Sequence, residues 1–269
     1  MKAQHNKILT LINLEEPIDT IIASTINLAR TFQAEVKFLY VGKPADPTRT
    51  ENQMEVVRSM NHRRNAVARF KIMVKRARQA EGLELDYAIL DGPVKKTIQN
   101  SLLAYQPDMV VVGKRLPSTM RLIGTQVTEF VLKQFQGPVL IAHPTKVLEI
   151  KEDLSVGVLD DLATIQENDV SNALIEHTKQ PVKLFTIADG DKASKVEEAQ
   201  PMPVVSFKFQ NNQNAMKNLT SYVHRNNVHL LCLGRKAEGR TNKNVIIREA
   251  MKRVNTSMLM VGKNGSNLI

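Results

Sequence analysis

A single cysteine, no tryptophan and an aromatic share of only 4% mark this 269-residue chain. With one thiol no internal disulfide can form, and Cys232, inside an apolar run, reads as a small core residue. The scarcity of aromatics, the lack of tryptophan and the absence of a recognisable RNA- or DNA-binding motif argue against a nucleic-acid binder. No apolar run approaches the roughly 18 residues needed to cross a bilayer, and the start leads straight into a strand pattern. No membrane association and a cytoplasmic location are therefore expected. The six histidines are scattered without metal-ligand spacing, so no metal is expected. His143, followed by Pro144, is expected at a surface or an interface. No Ser/His/Asp or Cys/His set falls at one strand end and no carboxylate pair flanks a cleft. Catalytic residues are accordingly not expected, and the chain is not read as an enzyme.

The chain does have charge, with a formal net of +10. Much of it falls on Arg58, Arg63, Arg64, Arg69, Lys71, Lys75, Arg76 and Arg78, with no acid among them. A solvated helix face explains this. A surface for an acidic protein or nucleic acid explains it as well.

The chain also has a repeat. Val36–Val41 (VKFLYV) returns as Val182–Ile187 (VKLFTI), and Asp108–Arg115 (DMVVVGKR) returns as His229–Lys236 (HLLCLGRK). Runs such as Met109-Val110-Val111-Val112 are apolar at consecutive positions, as strands buried on both faces must be. Strands alternate with helical patterns, which predicts an α/β fold with parallel, doubly wound sheets. In the first copy strands are expected at 7–13, 35–41, 83–90, 109–112 and 139–142, with helices at 18–32, 51–80, 94–105 and 124–135. Met54, Val57, Val67, Phe70 and Val74 form the apolar stripe of the long helix. The second copy predicts strands at 154–159, 182–188, 204–209, 229–233 and 257–261, and helices at 163–178, 214–225 and 244–254. Val41 to Gly113 spans 72 positions and Ile187 to Gly234 spans 47, so the second copy lacks about one helix. The expected domains are 1–146 and 153–263.

In doubly wound sheets, ligands bind beyond the carboxyl ends of the strands, where the strand order reverses. Asn13 follows the first strand and Asp160 its counterpart. Gly113 ends the fourth strand, Lys114 and Arg115 add charge, and Gly124-Thr125 opens the next helix. A helix N-terminus offers free N–H groups and positive dipole charge to a phosphate. The same residues serve equally as a strand-ending glycine and a helix start, and Asp160-Asp161 as a helix N-cap.

These features resemble the universal stress protein family. The resemblance rests on Lys7–Leu14, on Gln106–Gly113 (QPDMVVVG), on Leu122-Ile123-Gly124-Thr125 and on the closing Gln136–Ile141 (QGPVLI). It covers the first half directly and the second through the repeat. It implies two five-stranded parallel sheets of order 3-2-1-4-5, pseudo-two-fold related, with units paired through their last strands into an intramolecular pseudo-dimer. A further homodimer is open on this reading. It also implies ATP or another adenine nucleotide, with Asn13 and the Val41 backbone holding nucleoside and Gly113, Gly124 and Thr125 holding phosphate. Asp160 is the matching acid of the second copy. The chain departs from the family's G-x2-G-x9-G-[ST] loop: Asn13 replaces the acid, and ten residues, not twelve, separate Gly113 from Gly124. In the second copy Lys243-Asn244 replaces the Gly-Thr pair and Gly239 is the middle-glycine candidate. The reading is a non-catalytic, stress-responsive regulatory or binding protein. The alternatives are an interaction protein docking through helix 58–78 without nucleotide, and a nucleotide hydrolase, for which the sequence offers no general base.

Overall fold

A computed structural model describes residues 6–14, 17–42, 53–114, 123–160, 162–188, 203–235 and 241–262. The chain forms two compact units, residues 1–135 and 136–268.

The first unit contains β1 (Lys7–Ile12), α1 (Asp19–Phe32), β2 (Glu35–Gly42), α2 (Gln53–Glu81), β3 (Leu85–Asp91), α3 (Val94–Tyr105), β4 (Met109–Gly113) and α4 (Ile123–Gln134). Its strands lie in the order β3-β2-β1-β4, all parallel. Successive strand residues face opposite sides, and both sides are covered. Phe38 meets Phe70 of α2 edge-on, with ring centroids 6.3 Å apart, and Phe70 meets Tyr87 at 5.8 Å. On the other face the Lys37 ammonium sits 4.7 Å over the Tyr105 ring of α3. Valines 110 to 112 are fully or almost fully buried, as the consecutive apolar run predicts. Helices α1 and α3 end alike, on Gln33 and Gln106 in the left-handed region, each returning its N–H to a carbonyl one turn back.

The predicted stripe of α2 holds only in part. Phe70 and Val74 are buried, whereas Met54 is 62% and Val57 54% exposed. Length explains the difference. Twenty-nine helical residues rise about 43 Å, while the eight of β2 span roughly 26 Å. Arg63 is still tied to Asp91 at the carboxyl end of β3. The ten residues before it therefore extend past the strand ends.

The second unit contains β5 (Val139–Ala142), β6 (Val156–Leu159), α5 (Leu162–Gln166), α6 (Asp169–Glu176), β7 (Val182–Ala188), β8 (Val204–Gln210), α7 (Ala215–Arg225), β9 (Leu230–Gly234), α8 (Thr241–Arg253) and β10 (Ser257–Val261). The parallel order β8-β7-β6-β9-β10 is the 3-2-1-4-5 arrangement, and β5 adds to it antiparallel against β10. The strand that closes the first copy in sequence thus groups with the second unit. The single helix expected over 163–178 is two. The Asn168 side chain accepts the Ser171 N–H at 3.2 Å and the Ser171 hydroxyl donates to the Ile165 carbonyl, so one helix stops and another is capped within three residues.

The core of the second unit is repacked at one pair. Gly157 occupies the place that Leu9 has in the first unit, since each lies opposite an equivalent lysine (Lys183 and Lys37). A Cβ on Gly157 would stand 2.6 Å from the Phe185 ring. Phe185 in turn replaces Leu39 and packs with Phe207, Phe209 and Tyr222. On the opposite face, β8 carries the exposed Ser206, Lys208 and Gln210, where β3 of the first unit has Tyr87 and Ile89 beneath α2. A polar strand face fits the short connection that the sequence expects over residues 189–202, which lie outside the described residues.

Candidate functional site

The strand order of the first unit reverses between β1 and β4, so its switch point lies between their carboxyl ends. Leu11 pairs with Val112, and continuing that register by two residues brings Asn13 level with Lys114. The sheet thereby assembles Asn13, Gly113 and Lys114 at one edge. A Cβ on Gly113 would lie 3.6 Å from Ile21 Cδ1, an ordinary contact, so this glycine is not required by packing within the unit. Lys114 is half-buried, and burial pushes its ammonium down to about 8. A cation held in low dielectric gains more than an exposed one when an anion arrives.

Gly124 and Thr125 fall in the first turn of α4, close to the expected start, and their side chains lie outside the described residues. So do Arg115 and the rest of the loop to Leu122. Val41 is half-buried in β2, paired with Leu90 of β3. Beside it, the Arg63 guanidinium and the Asp91 carboxylate close directly over Gly42, in the space a Cβ would take. Arg63 also sits 5.7 Å from the Tyr40 ring centroid. This ion pair at the ends of β2 and β3 was not legible from the sequence, since 28 residues separate its members.

In the second unit the same positions look different. Ile8 pairs with Met109, and Val156 pairs with Leu230, which makes Ile12 the counterpart of Asp160. Asp160 thus stands one position before the place of Asn13; that place belongs to Asp161, outside the described residues. Asp160 takes φ 63°, the left-handed region, and ends β6 early. Its Oδ1 accepts the Ile187 N–H at 3.1 Å while its own N–H donates to the Phe185 carbonyl at 2.8 Å. The carboxylate thus ties β6 to β7. Asp160 takes this strand-to-strand role, and Asp161, the other member of the N-cap reading, lies outside the described residues. Arg235 follows β9 as Lys114 follows β4, and burial lowers its guanidinium to about 10. Lys243 and Asn244 fall in the first turn of α8 and Gly239 lies outside the described residues.

Residues 5–143 match the universal stress protein family. The chain belongs to that family. Solved structures agree on the fold. A universal stress protein from Archaeoglobus fulgidus DSM 4304 is similar over 98% of both chains, at 15% identity and a TM-score of 0.71. A putative universal stress protein from Pseudomonas aeruginosa UCBPP-PA14 is similar over 96% of this chain and 94% of its own, at 10% identity and a TM-score of 0.60. No curated protein matches. That both solved chains are covered almost end to end places the whole length, not one half alone, on a universal stress protein architecture.

Cys232 and His143 of this universal stress protein are both buried. Cys232 is fully buried and burial pushes its thiol up to about 12, where no useful thiolate forms. His143, expected at a surface or interface, is only 2% exposed. Its Nδ1 accepts the N–H groups of Thr145 and Lys146 at 3.1 and 2.9 Å, and its own N–H donates to Ser257 Oγ. Among the described residues no three of His, Cys, Asp and Glu are grouped to hold a metal ion, and no helix is long and apolar enough to cross a membrane.

Proposed function

We propose that this universal stress protein is a non-catalytic, cytoplasmic, stress-responsive binding protein whose first unit takes one adenine nucleotide. The sequence domains 1–146 and 153–263 are read as its two family domains. The observation that carries the proposal is Lys114, a half-buried cation level with Asn13 at the strand switch point. Asn13, with its hydrogen-bonding side chain, and the Val41 backbone would face the nucleoside. Lys114, Gly113 and the first turn of α4, with Gly124 and Thr125, would face the phosphates. The second unit is read as silent, because Lys243-Asn244 stands where the first unit opens its helix with Gly124-Thr125.

A thermal-shift titration tests the reading. ATP with Mg²⁺ at about one hundred times its dissociation constant should stabilise the protein by about 2.7 kcal/mol, visible as a raised melting temperature. An unchanged melting temperature at millimolar ATP would remove the nucleotide from the account. ATP should survive prolonged incubation intact; turnover would overturn the non-catalytic reading.

A further inference from the structure

The nucleotide site leaves α2 unexplained. Helical geometry at 100° per residue sorts its side chains into distinct faces. Phe70 and Val74 mark the buried face. Asn61, Asn65, Ala68 and Ile72 gather on the face diametrically opposite, and all four are exposed. Arg58, Arg69 and Arg76 align on one flank of that ridge, and Arg64, Lys71 and Lys75 on the other. All six cations are exposed, and among the described residues none of them has an ion-pair partner; Lys71 rests over the Tyr87 ring at 5.9 Å. Arg63, nearer the sheet, is neutralised locally by Asp91. The two flanking rows stand roughly 125° apart around the axis, and from Arg58 to Arg76 the ridge runs about 27 Å.

We propose that α2 docks in the major groove of double-stranded DNA, its two cationic rows reaching the phosphates of the opposite groove walls. Charge complementarity and shape both point there. A B-form major groove about 12 Å wide admits one α-helix, and cations on both flanks suit a groove with a phosphate chain on each side. The ridge between them carries the amides Asn61 and Asn65, the small Ala68 and the apolar Ile72, side chains suited to hydrogen-bonding base edges and meeting a thymine methyl. A bilayer suits this face less well, because Asn61 and Asn65 interrupt it and leave Ile72 as the one large apolar side chain on the ridge between the cationic rows. An RNA duplex is disfavoured by its narrow major groove.

Fluorescence anisotropy of the full-length protein with a labelled 20-base-pair DNA duplex tests the proposal. The expected plot of log affinity against log salt has a slope of about −4, from roughly four to five neutralised phosphates. Charge reversal on either flank, R58E/R69E or R64E/K75E, should weaken binding at least tenfold at 100 mM salt. The milder Arg69→Gln should lower the slope by about one, and it keeps the test open if a double reversal does not fold by circular dichroism. K217E/R225E, on the exposed face of α7, makes the same change of net charge and should alter affinity less than twofold. Four results would overturn the proposal: no binding at 50 mM salt, equal loss in K217E/R225E, tighter binding to an RNA duplex of the same sequence, or displacement of the DNA by an equal charge concentration of polyglutamate.

Discussion

The Asp160 carboxylate accepts the Ile187 amide at 3.1 Å, closing the carboxyl ends of β6 and β7 onto each other. The residue does this from a left-handed backbone that aspartate tolerates better than most. Asp160→Ala removes a charge-assisted hydrogen bond and keeps the strained backbone, so it should cost about 1.5–3 kcal/mol in urea unfolding. Asp160→Asn keeps an acceptor and should cost less than half of that. Equal losses for the two variants would mean that the hydrogen bond contributes little.

Lys114 should make nucleotide binding depend on pH in a particular direction. Its free-state pKa of about 8 lies below the ordinary lysine value, because burial disfavours the charged form. A bound phosphate favours the charged form and raises that pKa again. Affinity should therefore be flat below about pH 7.5 and fall as pH rises through 8 towards 9.5. Lys114→Gln should weaken ATP about tenfold, or about 1.4 kcal/mol, and abolish this pH dependence. A Gln variant with the same falling profile would assign the titration elsewhere.

The Gly157–Phe185 exchange gives a prediction about the core. Gly157→Ala places a methyl 2.6 Å from a buried ring and should destabilise by about 1–3 kcal/mol through overpacking. Adding Phe185→Leu, which restores the Leu39-like partner of the first unit, should recover part of the loss at position 157. Additive losses in the double variant would contradict the compensation, since residues in contact are expected to couple.

The scaffold was legible because its signals are local. Valines 110 to 112 and residues 230–233 are apolar at consecutive positions, and both are buried parallel strands. Periodicity located the inner face of α2 at Phe70 and Val74 but could not tell that the helix outruns its sheet, which exposes Met54 and Val57. The break after Gln166 depends on Asn168 and Ser171 side chains capping the backbone, a choice that competes closely with continuing the helix. His143 is buried because the turn after β5 aims two backbone N–H groups at its ring, and no residue type in that turn announces this.

Of the candidate site, Asn13, Gly113 and Lys114 could be placed from the strand pattern, because they directly follow β1 and β4. The acid of the second copy was read one position off. A left-handed aspartate ends β6 where an unbroken strand would continue, and only strand register moves the counterpart of Asn13 from Asp160 to Asp161. The Arg63–Asp91 pair needed the fold itself, which brings α2 back over β3.

The central claim is one adenine nucleotide per chain, held in the first unit. Isothermal titration of ATP with Mg²⁺ into the full-length protein measures it directly. The account predicts one equivalent bound per chain, weakened about tenfold in Lys114→Gln and unaltered in stoichiometry in Asp160→Asn. Absence of binding at millimolar ATP, two equivalents per chain, or an affinity indifferent to Lys114→Gln would contradict it.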